Sequence, residues 1–171
     1  MDLSAINPVL LIASLLVAAT PLLLAAIGEL VVEKSGVLNL GVEGMMIVGA
    51  IAGFAAAVET GSPLMGFVAA AVAGAALSLL FAGLTQLALA NQVASGLALT
   101  LFGLGLSALM GQRYVGVKPP QMARVDLPLL SDLPILGRIL FSHDVVLDFG
   151  IARTAAVWAV LKFTRAGLIL R

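Results

Sequence analysis

The 171-residue sequence contains no cysteine and a single histidine, His143. Without cysteine there is no disulfide framework, no thiolate nucleophile and no Cys-ligated metal. One histidine supplies neither a His-rich metal site nor a credible Ser/His/Asp set, and no HExxH or G-x-x-x-x-G-K-[ST] stretch occurs. Charge is equally scarce. Asp, Glu, Lys and Arg make up 11% of residues, nine acidic against nine basic, which leaves no basic surface for nucleic acid. "DFGIAR", Asp148 to Arg153, spells a protein-kinase magnesium motif, but the Gly-rich loop, strand lysine and H-R-D loop that a kinase needs are missing. No signal for an enzyme, a bound cofactor or a metal emerges.

What is present is apolar. Hydrophobic residues reach 61% and mean hydropathy is +1.16, beyond what a soluble chain of this length can cover with charge. The chain reads as all-α: a polytopic integral membrane helical bundle, one transmembrane domain over residues 1–171, with about five transmembrane helices, the second interrupted. About 20 apolar residues cross a hydrocarbon core of roughly 30 Å. Spans are predicted at Val9–Ile27, with Pro21 as a kink, then Gly41–Val58, Pro63–Leu87 and Val93–Met110. The first is no signal peptide, because Asp2 is the only charge before it and its apolar run is too long. A fifth span, Val145–Phe163, carries Asp148 and Arg153. A central arginine costs roughly 2.5–3.5 kcal/mol on insertion scales.

Residues 111–144 differ in texture, with prolines at 119, 120, 128 and 134 and a concentration of charge. They read as a folded extramembrane loop, within which "ILGRILF" suits a short interfacial helix. Small residues at helical spacing predict close helix packing: Gly49 with Gly53, Ala70 with Gly74, and Gly96 with Gly103. Positive charge does not orient the chain. Arg113, Lys118, Arg124 and Arg138 would lie on one side, and Lys34, Lys162, Arg165 and Arg171 on the other.

Two polar clusters interrupt the apolar runs. In "SGVLNLGVEGMM", Asn39 and Glu43 are four residues apart and share a face if the backbone is helical. With the second helix starting near Val37, Glu43 would sit about 9 Å along it. An acid at that depth faces a bundle interior or a wet cavity. Gly41 and Gly44 would loosen the helix there, a recurring device in transporters. For Glu29, Glu33 and Lys34 a solvated inter-helix loop is the plainer expectation. The second cluster is Asn91, Gln92 and Ser95 in "ANQVASG". There a loop and a helix N-cap, with Asn91 or Ser95 accepting a backbone N–H, competes with a ligand site.

Three stretches, "GELVVEKSGVLNLGVEGMMIVGAIAGF" (28–54), "ANQVASGLALTLFGLGLS" (90–107) and "PPQMARVDLPLLSDLPILGRILFSHD" (119–144), resemble ABC-transporter permease subunits. The branch is that of simple-sugar and nucleoside importers, related to ribose and branched-chain amino-acid permeases. The resemblance implies a multi-pass protein of a bacterial or archaeal inner (plasma) membrane. It also implies a second permease chain, expected here to be a homologue, with cytoplasmic ABC ATPase subunits that bind the ATP and an extracytoplasmic solute-binding lipoprotein. The loop at 111–144 would then face outside and Arg171 the cytoplasm. Asn39, Gly41, Glu43 and Gly44, with Asn91, Gln92 and Ser95, carry over as candidate path or gate residues. "TRAGLILR" (164–171) matches the stretch that precedes the family's coupling helix, so the chain is expected to be the N-terminal portion of a permease. Asp148 and Arg153 depart from the apolar fifth span of relatives. Two other readings remain: a small dual-orientation transporter coupled to ions, and a membrane scaffold or remnant that transports nothing.

Overall fold

The computed structural model describes residues 8–120 and 145–169, and no strand occurs among them. The predicted interfacial helix, His143 and most of the long loop lie outside the described residues. Two compact units divide the chain: residues 31–121, and residues 1–30 with 122–171.

Helix α1, Pro8–Lys34, is 27 residues long and contains Pro21 without ending there. It continues past the predicted end at Ile27, so Glu29, Glu33 and Lys34 occupy its last turns and do not form a solvated loop. Glu, Leu and Lys are good helix formers, and nothing between residues 29 and 34 stops the ladder. The stop is Gly36, at φ +84°. There the Val37 N–H donates to the Val32 carbonyl at 3.2 Å and the Gly36 N–H to the Glu33 carbonyl at 2.9 Å. This is a Schellman ending, which needs the left-handed conformation that glycine adopts without penalty.

Within residues 31–121, α2 (Val42–Thr60) turns at Gly61 (φ +66°) into α3 (Pro63–Ala82). A π-turn, Gly83–Leu87, prolongs α3 before α4 (Gln92–Gly111) and the 3₁₀ turn Gln112–Tyr114. Helix α2 is central. A Cβ on Gly53 would lie 2.8 Å from the Gly66 carbonyl oxygen of α3, and one on Gly44 would lie 2.6 Å from the Leu99 carbonyl oxygen of α4. Both approaches are backbone to backbone, the geometry that small residues permit in lipid. Gly49 and Gly53 thus both pack on α3, Gly96 packs on residues 40–41 just ahead of α2 and Gly103 on Gly44 within it, whereas a Cβ on Gly74 would meet nothing within 4 Å. Val48, Leu77, Phe81 and Leu99 form the small apolar centre, while Leu79, Leu101 and Leu109 point outward.

In the other unit, α5 (Val145–Phe163) is followed by the short α6 (Arg165–Ile169). Gly150 of α5 faces Thr20, Leu23 and Leu24 of α1. The Lys162 ammonium lies 4.8 Å from the Trp158 ring centroid, a cation–π pair. Among the described residues four helices are long and apolar enough to cross a membrane: Ser14–Lys34, Val42–Thr60, Pro63–Leu87 and Gln92–Tyr114. The expected fifth span is helical over Val145–Phe163.

Candidate functional site

Between α1 and α2 the chain leaves the helix for seven residues, Ser35–Gly41. Non-helical backbone in an apolar chain needs partners for its N–H and C=O groups. The side chain of Asn39 supplies one locally. It is buried, and its Oδ1 accepts the Gly41 N–H at 3.0 Å, an Asx-type turn that leads into α2. Its Nδ2 lies 3.7 Å from the Met45 sulfur. Helix α4 supplies two more. The Gln92 Oε1 accepts the Leu38 N–H at 2.8 Å, and the Thr100 hydroxyl donates to the Leu40 carbonyl at 3.0 Å.

Between these two bonds the connector rests on Gly96, where a Cβ would lie 2.9 Å from the Leu40 nitrogen and 3.0 Å from the Gly41 nitrogen. The structure therefore brings Asn39, Gly41, Gly44 and Gln92 into one patch. Asn91 caps α4: its Oδ1 accepts the Ala94 N–H at 3.0 Å. Ser95 is half-buried in the first turn of α4.

Two expectations change. The interruption lies at residues 35–41, ahead of α2, which runs unbroken from Val42. Glu43 is consequently the second residue of α2, in its first turn and exposed, rather than about 9 Å along a helix. Its negative charge suits the positive end of the helix dipole. Gly44 does not loosen the helix. It lies inside α2, where its missing Cβ admits the Leu99–Thr100 backbone. Gly41, at φ −89°, likewise serves contact with Leu99 and Gly96 rather than unusual backbone geometry.

Thr100 is the residue of this patch that sequence reasoning passed over. Gln92, Gly96 and Thr100 recur at a spacing of four, so the signal was present as one face of α4. An open apolar groove of about 300 Å³ between α2 and α3, lined by Gly49, Gly53, Gly66, Phe67 and Pro120 among others, contains none of the predicted site residues.

Residues 11–171 match the family described as the permease component of the branched-chain amino acid transport system. The chain belongs to this family. TsgC13 of Haloferax volcanii, a permease provisionally assigned to glucose ABC transport, is 39% identical over 155 residues, covering 88% of the chain and 47% of its own length. The guanosine ABC transporter permease NupQ of Bacillus subtilis is 34% identical over 174 residues, covering 95% of the chain and 54% of NupQ. The nucleoside ABC transporter permease NupC of Lactococcus lactis is 30% identical over 174 residues, covering 95% of the chain and 55% of NupC. The chain spans about half the length of these curated relatives. No solved structure matches it significantly. Family and helices together make it a multi-pass membrane protein.

Proposed function

We propose that the chain is a membrane-spanning subunit of an ATP-binding-cassette importer for nucleosides or simple sugars, and forms part of the solute path. The observation that carries this reading is the connector Ser35–Gly41, a non-helical segment in an apolar chain whose backbone is partnered by Asn39, Gln92 and Thr100. In a permease, irregular backbone of this kind borders a route that polar solutes cross. The guanosine, nucleoside and glucose permeases among the relatives supply the solute class.

In this reading Asn39, Gly41 and Gly44 set the shape of the path, and Glu43 hydrates it from the exposed first turn of α2. Asn91, Gln92 and Ser95 line the start of α4. The subunit carries no catalytic chemistry. ATP binds to separate cytoplasmic ATPase subunits, solute arrives on an extracytoplasmic binding lipoprotein, and a second, homologous permease chain completes the path in the inner membrane, with Arg171 on the cytoplasmic side.

Glu43→Gln and Glu43→Leu, in a transporter complete with its partners, test the reading. Both variants should insert normally and take up nucleoside or sugar more slowly than the parent. Parental uptake rates in both would remove Glu43 from the path.

A further inference from the structure

Threonine in a helix ordinarily turns its hydroxyl back to the carbonyl four residues earlier. Thr20, Thr60, Thr85, Thr154 and Thr164 all do so, donating to Leu16, Ala56, Phe81, Gly150 and Val160 at 2.6–2.9 Å. Thr100 instead reaches 60 positions away in sequence, to the Leu40 carbonyl at 3.0 Å. We infer that Thr100 is a positioning residue of the solute path, pinning the connector to α4 so that the connector, the start of α2 and α4 move as one body. The inference rests on the permease reading above and adds to it the residue that fixes the path segment.

One attachment would leave a pivot, whereas two fix an orientation. Gln92 holds the Leu38 N–H and Thr100 holds the Leu40 carbonyl, from positions eight residues apart on α4, about 12 Å along its axis. Gly96, midway between them, lets the connector backbone lie directly on the helix. Gly103 extends the same contact to Gly44, where a Cβ would lie 2.7 Å from the Gly44 carbonyl oxygen. Any displacement of α4 in a transport cycle must therefore carry residues 38–44 with it or break both bonds. Without the Thr100 hydroxyl the connector swings about Gln92.

The test compares Thr100→Val, which keeps the shape and removes the hydroxyl, with Thr100→Ser, which keeps the hydroxyl. In the full chain reconstituted in nanodiscs, Thr100→Val should speed amide hydrogen exchange across residues 36–46 by roughly two- to tenfold, the range of one lost hydrogen bond. Exchange in α3 should not change, and Thr100→Ser should exchange as the parent does. In the assembled transporter, Thr100→Val should lower the maximal uptake rate at unchanged KM, and Thr100→Ser should restore it.

Unchanged exchange in Thr100→Val overturns the clamp. Faster exchange with parental uptake overturns its role in the path. If the parent chain with its partners moves no solute, the permease reading fails alone and the exchange comparison still decides the clamp. Should Thr100→Val fail to insert, Gln92→Met removes the other attachment and puts the two-point clamp to the same exchange comparison.

Discussion

Helix α2 meets its two neighbours through glycine on both faces, yet the contacts are built differently. Toward α3, Gly53 faces Gly66 and Ala70, Gly49 faces the Ala70 carbonyl, and an apolar groove runs alongside. Toward α4, Gly44 faces Leu99, Thr100 and Gly103, and hydrogen bonds close both ends of the contact. At one end are the Gln92 and Thr100 bonds to the connector, and at the other the Tyr114 hydroxyl donates to Glu59 Oε1 at 2.5 Å. Lipid tails are as apolar as leucine, so the first contact gains from dispersion at short range. The second also satisfies backbone groups that the connector has taken out of the helical ladder. Close packing is common to both faces. On the α3 face the Ser78 hydroxyl meets the Met45 sulfur at 3.8 Å, a weak bond, whereas shorter bonds to oxygen hold the face beside the candidate path.

The largest expected effect is at Gly44. A Cβ there would lie 2.6 Å from the Leu99 carbonyl oxygen and 2.7 Å from the Thr100 Cα, both backbone atoms that cannot turn aside. Gly44→Ala should destabilise the chain by about 1–3 kcal/mol, read as a lower midpoint in SDS titration of the purified protein. On the α3 face, Gly49→Ala should cost less, because its Cβ would sit 3.3 Å from the Ala70 carbonyl oxygen. Equal losses at the two positions would erase the difference between the faces.

Much of this arrangement was legible in the sequence. The four spans follow from apolar runs, and Asn39 and Gln92 stood out as amides amid hydrocarbon. The role of the glycines was harder to read. Gly41 and Gly44 have the spacing of a loosened helix, but what they serve is contact with residues 96–103, a neighbour that no local pattern names. The length of α1 was missed because Glu29, Glu33 and Lys34 look like loop residues, although a helix end tolerates such charges and Gly36 marks the stop. Thr100 escaped because one hydroxyl in an apolar helix usually bonds within its own turn, and only the position of Leu40 shows otherwise.

A smaller effect is expected at the far end of the α2–α4 contact. Tyr114 stacks edge-on against Phe54, with ring centroids 5.9 Å apart, in addition to its bond with Glu59. Tyr114→Phe keeps the ring contact and removes the hydroxyl, so the loss should be about 0.5–1.5 kcal/mol in the same titration. Exchange at residues 36–46 should stay as in the parent, because the connector is held by its own bonds. A faster connector in Tyr114→Phe would mean that the two ends of α4 are coupled, and would sharpen the comparison into one between a strongly restrained helix and its weakly restrained neighbour.

The smallest effect is expected at Gly74, which has the spacing of a packing residue but lies on a face of α3 where a Cβ would meet nothing within 4 Å. Alanine is the better helix former by about 0.8–1.0 kcal/mol in water, and within lipid the gain has no clash to offset it. Gly74→Ala should therefore leave the titration midpoint of the purified chain unchanged or slightly raised. The same substitution in an assembled transporter asks a different question. A loss of assembly there, with the isolated chain unaffected, would mean that another protein surface approaches α3 as closely as Gly53 approaches Gly66. Glycine spacing on that face would then serve contact between chains, as on the other two it serves contact within one.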